Sequence, residues 1–85
     1  MATKREILAA YKRLRRAFPD QSVAVGVYYC SWAKILPCYY AYVSNTIARR
    51  GVSTDSSPEE YATPEGAVDY VIRKEEEINR SDAKE

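Results

Sequence analysis

The sequence contains no histidine and only two cysteines, and each shortage closes off a class of chemistry. Without imidazole, no serine or cysteine has the base that ordinarily takes its proton at neutral pH. A structural zinc site wants four Cys or His ligands, and one chain supplies two thiols. Ser31 or Cys30 beside Lys34 are the nucleophile and amine pairs that remain, and neither has a motif around it. With no cofactor fingerprint and no internal repeat either, no catalytic residue, metal or cofactor is assigned, and the chain reads as non-enzymatic. No apolar run approaches the ~20 residues that span a bilayer, and the first dozen residues carry charge from Lys4 onward. The expected setting is therefore cytoplasmic, without a membrane partner.

One sign of charge is scarce in each half. Residues 1–50 hold nine cations and two acids, a net +7, while residues 51–85 hold four cations and ten acids, a net −6. The total of +1 argues against a strongly basic nucleic-acid binder. Such polarity is neutralised within the fold, between subunits or by a partner, and sequence does not choose among these.

What is abundant is tyrosine, eight in 85 residues, concentrated in a mirror about Lys34: Tyr28-Tyr29-Cys30 before it and Cys38-Tyr39-Tyr40 after it. Two β-prone runs reflected about a linker predict a hairpin, with strands over Ser22 to Cys30 and Cys38 to Ser44. Val23, Val25, Val27 and Tyr29 then share one face of the first strand, and Tyr39, Ala41 and Val43 oppose Cys38, Tyr40 and Tyr42 on the second. The first strand, apolar on both faces, is expected to be well covered. The mirror would set Cys30 across from Cys38, whereas a two-residue turn at Ala33-Lys34 would slide Pro37 opposite Cys30. A Cys30–Cys38 disulfide is thus possible under oxidation, although a reducing compartment favours thiols. Pro37, which has no NH to donate, suggests an edge strand.

Thr3-Lys4-Arg5-Glu6 is a capping box, and Ile7, Tyr11, Leu14 and Phe18 form a helical stripe that Pro19-Asp20 ends. The opposite face carries Arg5, Lys12, Arg13 and Arg16. Thr63-Pro64-Glu65 opens a second helix with an N-cap, a proline at the first helical position and an acid in the first turn. Its stripe is Ala67, Val68, Val71, Ile72 and Ile78; Glu75 falls inside it, either pairing with Arg49 or Arg50 or marking where the helix projects beyond the core, the second being the commoner for a tail of this composition. Between hairpin and helix, residues 45–54 are ambiguous, and we expect a turn into a short third strand near Gly51 to Thr54, followed by a loop through Pro58. The fold class is α+β: a two-layer sandwich of helix, two or three antiparallel strands and helix, both helices on one sheet face. Residues 1–80 form this single domain and 81–85 a frayed tail.

The order helix, three strands, helix resembles that of the double-stranded RNA-binding domain. That family begins its last helix with lysines that grip phosphates, and the corresponding turns here carry Glu59, Glu60, Glu65 and Asp69. In general character, a very small, motif-poor α+β chain looks like the accessory proteins of phages and mobile elements, including inhibitors that occupy the surface of a host defence complex. The primary expectation is an inhibitor or adaptor that binds a protein or nucleoprotein complex, itself a homodimer. Trp32, Tyr39, Tyr40 and Tyr42 from the hairpin, with Lys12, Arg13, Arg16, Arg49 and Arg50, are its contacts, because aromatic rings carry large contact area at low entropic cost. Replacing Arg13 and Arg16 with glutamate is expected to weaken partner capture without unfolding the chain. The alternative is a nucleotide or nucleic-acid binder that uses the same cations on phosphates and the same rings on bases.

Overall fold

The computed structural model describes residues 2–29, 31–44, 49–50 and 56–83. Its elements, in chain order, are α1 (Lys4–Ala17), β1 (Ser22–Tyr28), β2 (Cys38–Ser44), β3 (Arg49–Arg50), α2 (Pro58–Tyr61) and α3 (Pro64–Ala83). The α+β sandwich is as expected, with α1 and α3 layered on one face of the sheet. Cys30, half of the possible disulfide, lies outside the described residues.

The start of α1 follows from its capping box. The Thr3 hydroxyl accepts from the Glu6 amide at 3.2 Å and is itself 3.4 Å from the Glu6 carboxylate. At the other end the Phe18 amide donates to the Leu14 carbonyl before Pro19 turns the chain. The buried centre of the helix is Ala10 and Leu14, flanked by Ile7 and Phe18, so the stripe sits slightly towards Ala10 from the one predicted.

The sheet order is β1-β2-β3, with β2 antiparallel to both neighbours. Tyr28 stands opposite Cys38, Gly26 opposite Tyr40 and Ser22 opposite Ser44. This register is two residues from the mirror and one from that of a tight turn at Ala33-Lys34. A slip of two keeps every side chain on its expected face, whereas a slip of one would have reversed them all. The cause lies in the connection, where Trp32 packs edge-on against Tyr61 at 5.2 Å between ring centroids and the Lys34 amide donates to the Tyr61 hydroxyl at 3.0 Å. Held at both points, the described residues 31–37 follow a broad path into β2 instead of a two-residue turn.

Three expectations about the sheet are corrected. β2, not an edge strand, is the middle one, and Pro37 spends its missing NH just before the ladder begins at Cys38. β1 is an edge strand with Val27 47% exposed, not a covered one. The third strand comes earlier than expected, pairing Arg50 with Val43 and Arg49 with Ser44; residues 51–54 lie outside the described ones.

The loop expected through Pro58 ends in a short helix, α2. Its Ser57-Pro58-Glu59-Glu60 start repeats the signature of Thr63-Pro64-Glu65, and the Glu60 carboxylate accepts from the Ser57 amide at 2.7 Å. α3 starts as predicted, with the Thr63 hydroxyl accepting from the Gly66 amide at 3.0 Å. Gly66 is needed there, since a Cβ would lie 2.4 Å from the Glu59 carbonyl and 2.9 Å from that of Glu60. Ala67, Val68, Tyr70 and Val71 then complete a core with Leu14, Tyr39, Ala41 and Val43. Glu75 is 4% exposed, so α3 is still against the body of the protein at that turn and does not project past it as expected. Among the described residues no helix is long and apolar enough to cross a membrane.

Candidate partner-binding surface

Strand alternation sorts the tyrosines. Tyr39, grouped on sequence with the partner contacts, points into the helix layer and is 2% exposed, and its hydroxyl receives a hydrogen bond from the Ala2 amide at 2.9 Å. It is a core residue with a satisfied phenol. Tyr28, Tyr40 and Tyr42 occupy the other face, each half-buried. Tyr28 and Tyr40 meet edge to face at 5.4 Å. The ring of Tyr40 lies across Gly26, where a Cβ would stand 2.6 Å from the phenolic oxygen. Gly26 is thus the floor on which the aromatic face rests. Among the described residues neither α1 nor α3 covers this face.

The hairpin end adds apolar surface. Tyr29 is 70% exposed, with Leu36 and Ile35 roughly half exposed. Trp32, expected as a contact, is half-buried and braces the loop against Tyr61, which is itself buried. Tyr61 was not singled out by sequence, although a tyrosine two residues before Thr63 is consistent with a polar-tipped anchor.

On the helix layer, the two expected arginine contacts diverge. Arg13 reaches across to α3, where its guanidinium bonds the carboxylates of both Glu65 and Asp69. The Asp69 hydrogen bond, with Glu65 in support and partial burial opposing, holds the Arg13 pKa above its ordinary value. Part of the charge polarity is therefore neutralised within the fold. Lys12 and Arg16 remain exposed, as do Arg5 and Arg15. Arg49 and Arg50 sit on β3, and their side chains lie outside the described residues. A second ion pair joins α2 to α3, with Arg73 donating to Glu60. Burial by itself would raise the Glu60 pKa, but the hydrogen bonds from Arg73 and the Ser57 amide outweigh it and leave the carboxyl below its ordinary value. Glu60, Glu65 and Asp69 are thus each held by an arginine, and the described residues contain no cluster of three or more metal-ligating side chains.

A hollow of about 390 Å³ opens between α1 and β1, lined by Lys4, Ile7, Leu8, Tyr11 and Val25. Leu8 is 50% exposed at its rim. Leu8 lies outside the stripe of Ile7, Tyr11, Leu14 and Phe18, and sequence gave no sign that the edge of β1 would leave it uncovered.

No protein-family model, curated protein or solved structure matches the chain, so the surface is read from its own geometry.

Proposed function

We propose that this protein is a non-enzymatic interaction module, of the inhibitor or adaptor type that phages and mobile elements carry, which binds a protein or nucleoprotein complex in the cytoplasm. The observation that carries the reading is the outer sheet face, where Tyr28, Tyr40 and Tyr42 form an aromatic platform that neither α1 nor α3 covers. Rings with polar tips, few rotamers and a rigid β-sheet behind them suit a contact surface that must hold its shape before the partner arrives. The exposed Tyr29, Ile35 and Leu36 extend it at the hairpin end. Lys12 and Arg16 of α1 lie on the opposite layer, so a partner that uses both surfaces must wrap round the molecule.

A second copy is a further occupant of the same platform, and the homodimer expected from sequence belongs there. Nucleic acid fits less well, because Glu65 and Asp69 already occupy Arg13, one of the α1 cations that would have to meet phosphates.

Immobilised wild-type protein and a Tyr40→Ser/Tyr42→Ser variant, both verified as folded, are compared for capture from host lysate. Each truncated interfacial tyrosine costs on the order of 2 kcal/mol, or about 30-fold in affinity, so the variant should lose the partner. Equal capture by both proteins would refute the platform. Oligonucleotide affinity that falls steeply with salt would transfer the function to the nucleic-acid reading.

A further inference from the structure

No strand among the described residues lies on the outer side of β1, and the strand lacks two of the usual protections. Ser22-Val23-Ala24-Val25-Gly26-Val27-Tyr28 has no charge and no proline, the devices by which edge strands normally refuse a further strand. The flank of α1 above this edge is specific in its chemistry. At 100° per residue, Lys4, Leu8, Tyr11 and Arg15 fall within about 60° of one another, and Arg13, which faces α3, lies about 140° round from Leu8. The strip overlooking β1 is therefore apolar in the middle, where Leu8 and Tyr11 border the 390 Å³ hollow over Val25, and cationic at both ends. The Arg15 guanidinium donates to the Tyr11 hydroxyl at 3.3 Å, which fixes one of those ends against the apolar centre.

The geometry points to an acidic extended segment of a partner protein as the occupant: it adds a strand to β1, seats one apolar side chain in the hollow and sets a carboxylate on either side, towards Lys4 and Arg15. Lys4 and Arg15 are about 16 Å apart along the helix. Residues on one face of a strand repeat every second position, so the pattern acid-x-apolar-x-acid spans about 13 Å, and the long cationic side chains close the remainder. Main-chain hydrogen bonds supply affinity, and the hollow and the two cations supply selectivity. Charge also decides against a second copy at this edge. Antiparallel pairing of β1 with itself would lay two α1 helices side by side, and Glu6 is the single acid on each against five cations besides Arg13, which Glu65 and Asp69 already hold.

This rests on the interaction-module reading but concerns a different surface from the tyrosine platform. The probe is a labelled seven-residue peptide, threonine at alternate positions and glutamate, leucine and glutamate on its other face, titrated by fluorescence anisotropy at 50 mM salt. Binding should weaken at least tenfold when the glutamates become lysines and at least tenfold when the β1-facing amides are N-methylated. It should also be lost with Leu8→Asp, an exposed position that leaves the core intact, and weakened by Lys4→Glu. No binding to the wild type, or binding indifferent to N-methylation or to Leu8→Asp, would overturn the proposal. So would a wild-type dimer that Leu8→Asp splits in sedimentation, which would give the edge to a second copy. If the peptide fails while Tyr40→Ser/Tyr42→Ser still abolishes partner capture, the edge proposal falls and the module reading stands.

Discussion

Reversing the charge of Arg13 tests whether this side chain braces the two long helices or waits for a partner. Its guanidinium bonds Glu65 and Asp69 together, with the three side chains 43%, 50% and 60% exposed. At that exposure solvent screens each pair, and a surface ion pair contributes about 0.2–1 kcal/mol. Losing two pairs costs about 0.5–1.5 kcal/mol, and a carboxylate set against two others adds a similar repulsion, about 1–3 kcal/mol in all for Arg13→Glu. In a domain of this size that lowers Tm by roughly 5–15 °C. The assay is urea and thermal unfolding at 20 mM and 500 mM salt, with Arg13→Met to isolate lost attraction from added repulsion. Arg16→Glu is the control: Arg16 is exposed and no acid among the described residues forms an ion pair with it, so it should cost no more than about 1 kcal/mol, from the charge at the helix C-terminus. Raising the salt shortens the screening length to below about 5 Å and should remove at least half of the Arg13→Glu penalty. Equal stability of the two glutamate variants at low salt would refute the brace and return Arg13 to the pool of partner contacts.

Three further outcomes follow from the packing. Leu14→Ala, at a position with no exposed surface, should cost about 2–5 kcal/mol in denaturant unfolding, and a loss below 1 would mean that α1 does not seat on this core. Tyr61→Phe leaves the Lys34 amide without its acceptor and should cost about 1 kcal/mol, with a rise in proteolytic cleavage confined to residues 31–37; unchanged cleavage would detach Tyr61 from the loop. Glu60 has a folded pKa below its unfolded one, so its contribution is present above the unfolded carboxyl range and disappears as pH falls through the folded value. Glu60→Gln should therefore be less stable than wild type at pH 7 and converge with it in acid, whereas a pH-independent difference would contradict the ion pair with Arg73.

Much of this architecture is written locally, and those parts were legible. Thr3-Glu6 and Thr63-Pro64 mark helix starts through hydrogen bonds within a few residues, and strand alternation put Tyr39 on one face and Tyr40 and Tyr42 on the other. What sequence concealed depends on contacts between distant segments. The hairpin register is set by Tyr61 holding Trp32 and Lys34, about 30 residues upstream. Arg13 looked like one more partner contact on the basic face of α1, but α3 brings Glu65 and Asp69 beside it. Ser57-Pro58-Glu59-Glu60 carried the same start signal as α3, but a helix of four residues leaves no periodicity to support it. The apolar residues of β1 suggested cover on both sides, and only the strand order reveals that it ends the sheet.

The most direct test of the central claim is oxidative footprinting of the tyrosines, read by mass spectrometry, in the isolated protein and in the captured complex. The account predicts that Tyr29 labels fastest in the isolated protein, Tyr28, Tyr40 and Tyr42 label measurably, and Tyr39 and Tyr61 resist, with protection of Tyr40 and Tyr42 on partner binding. Tyr40 and Tyr42 labelling equally in both states, or Tyr39 labelling as readily as they do, would contradict it.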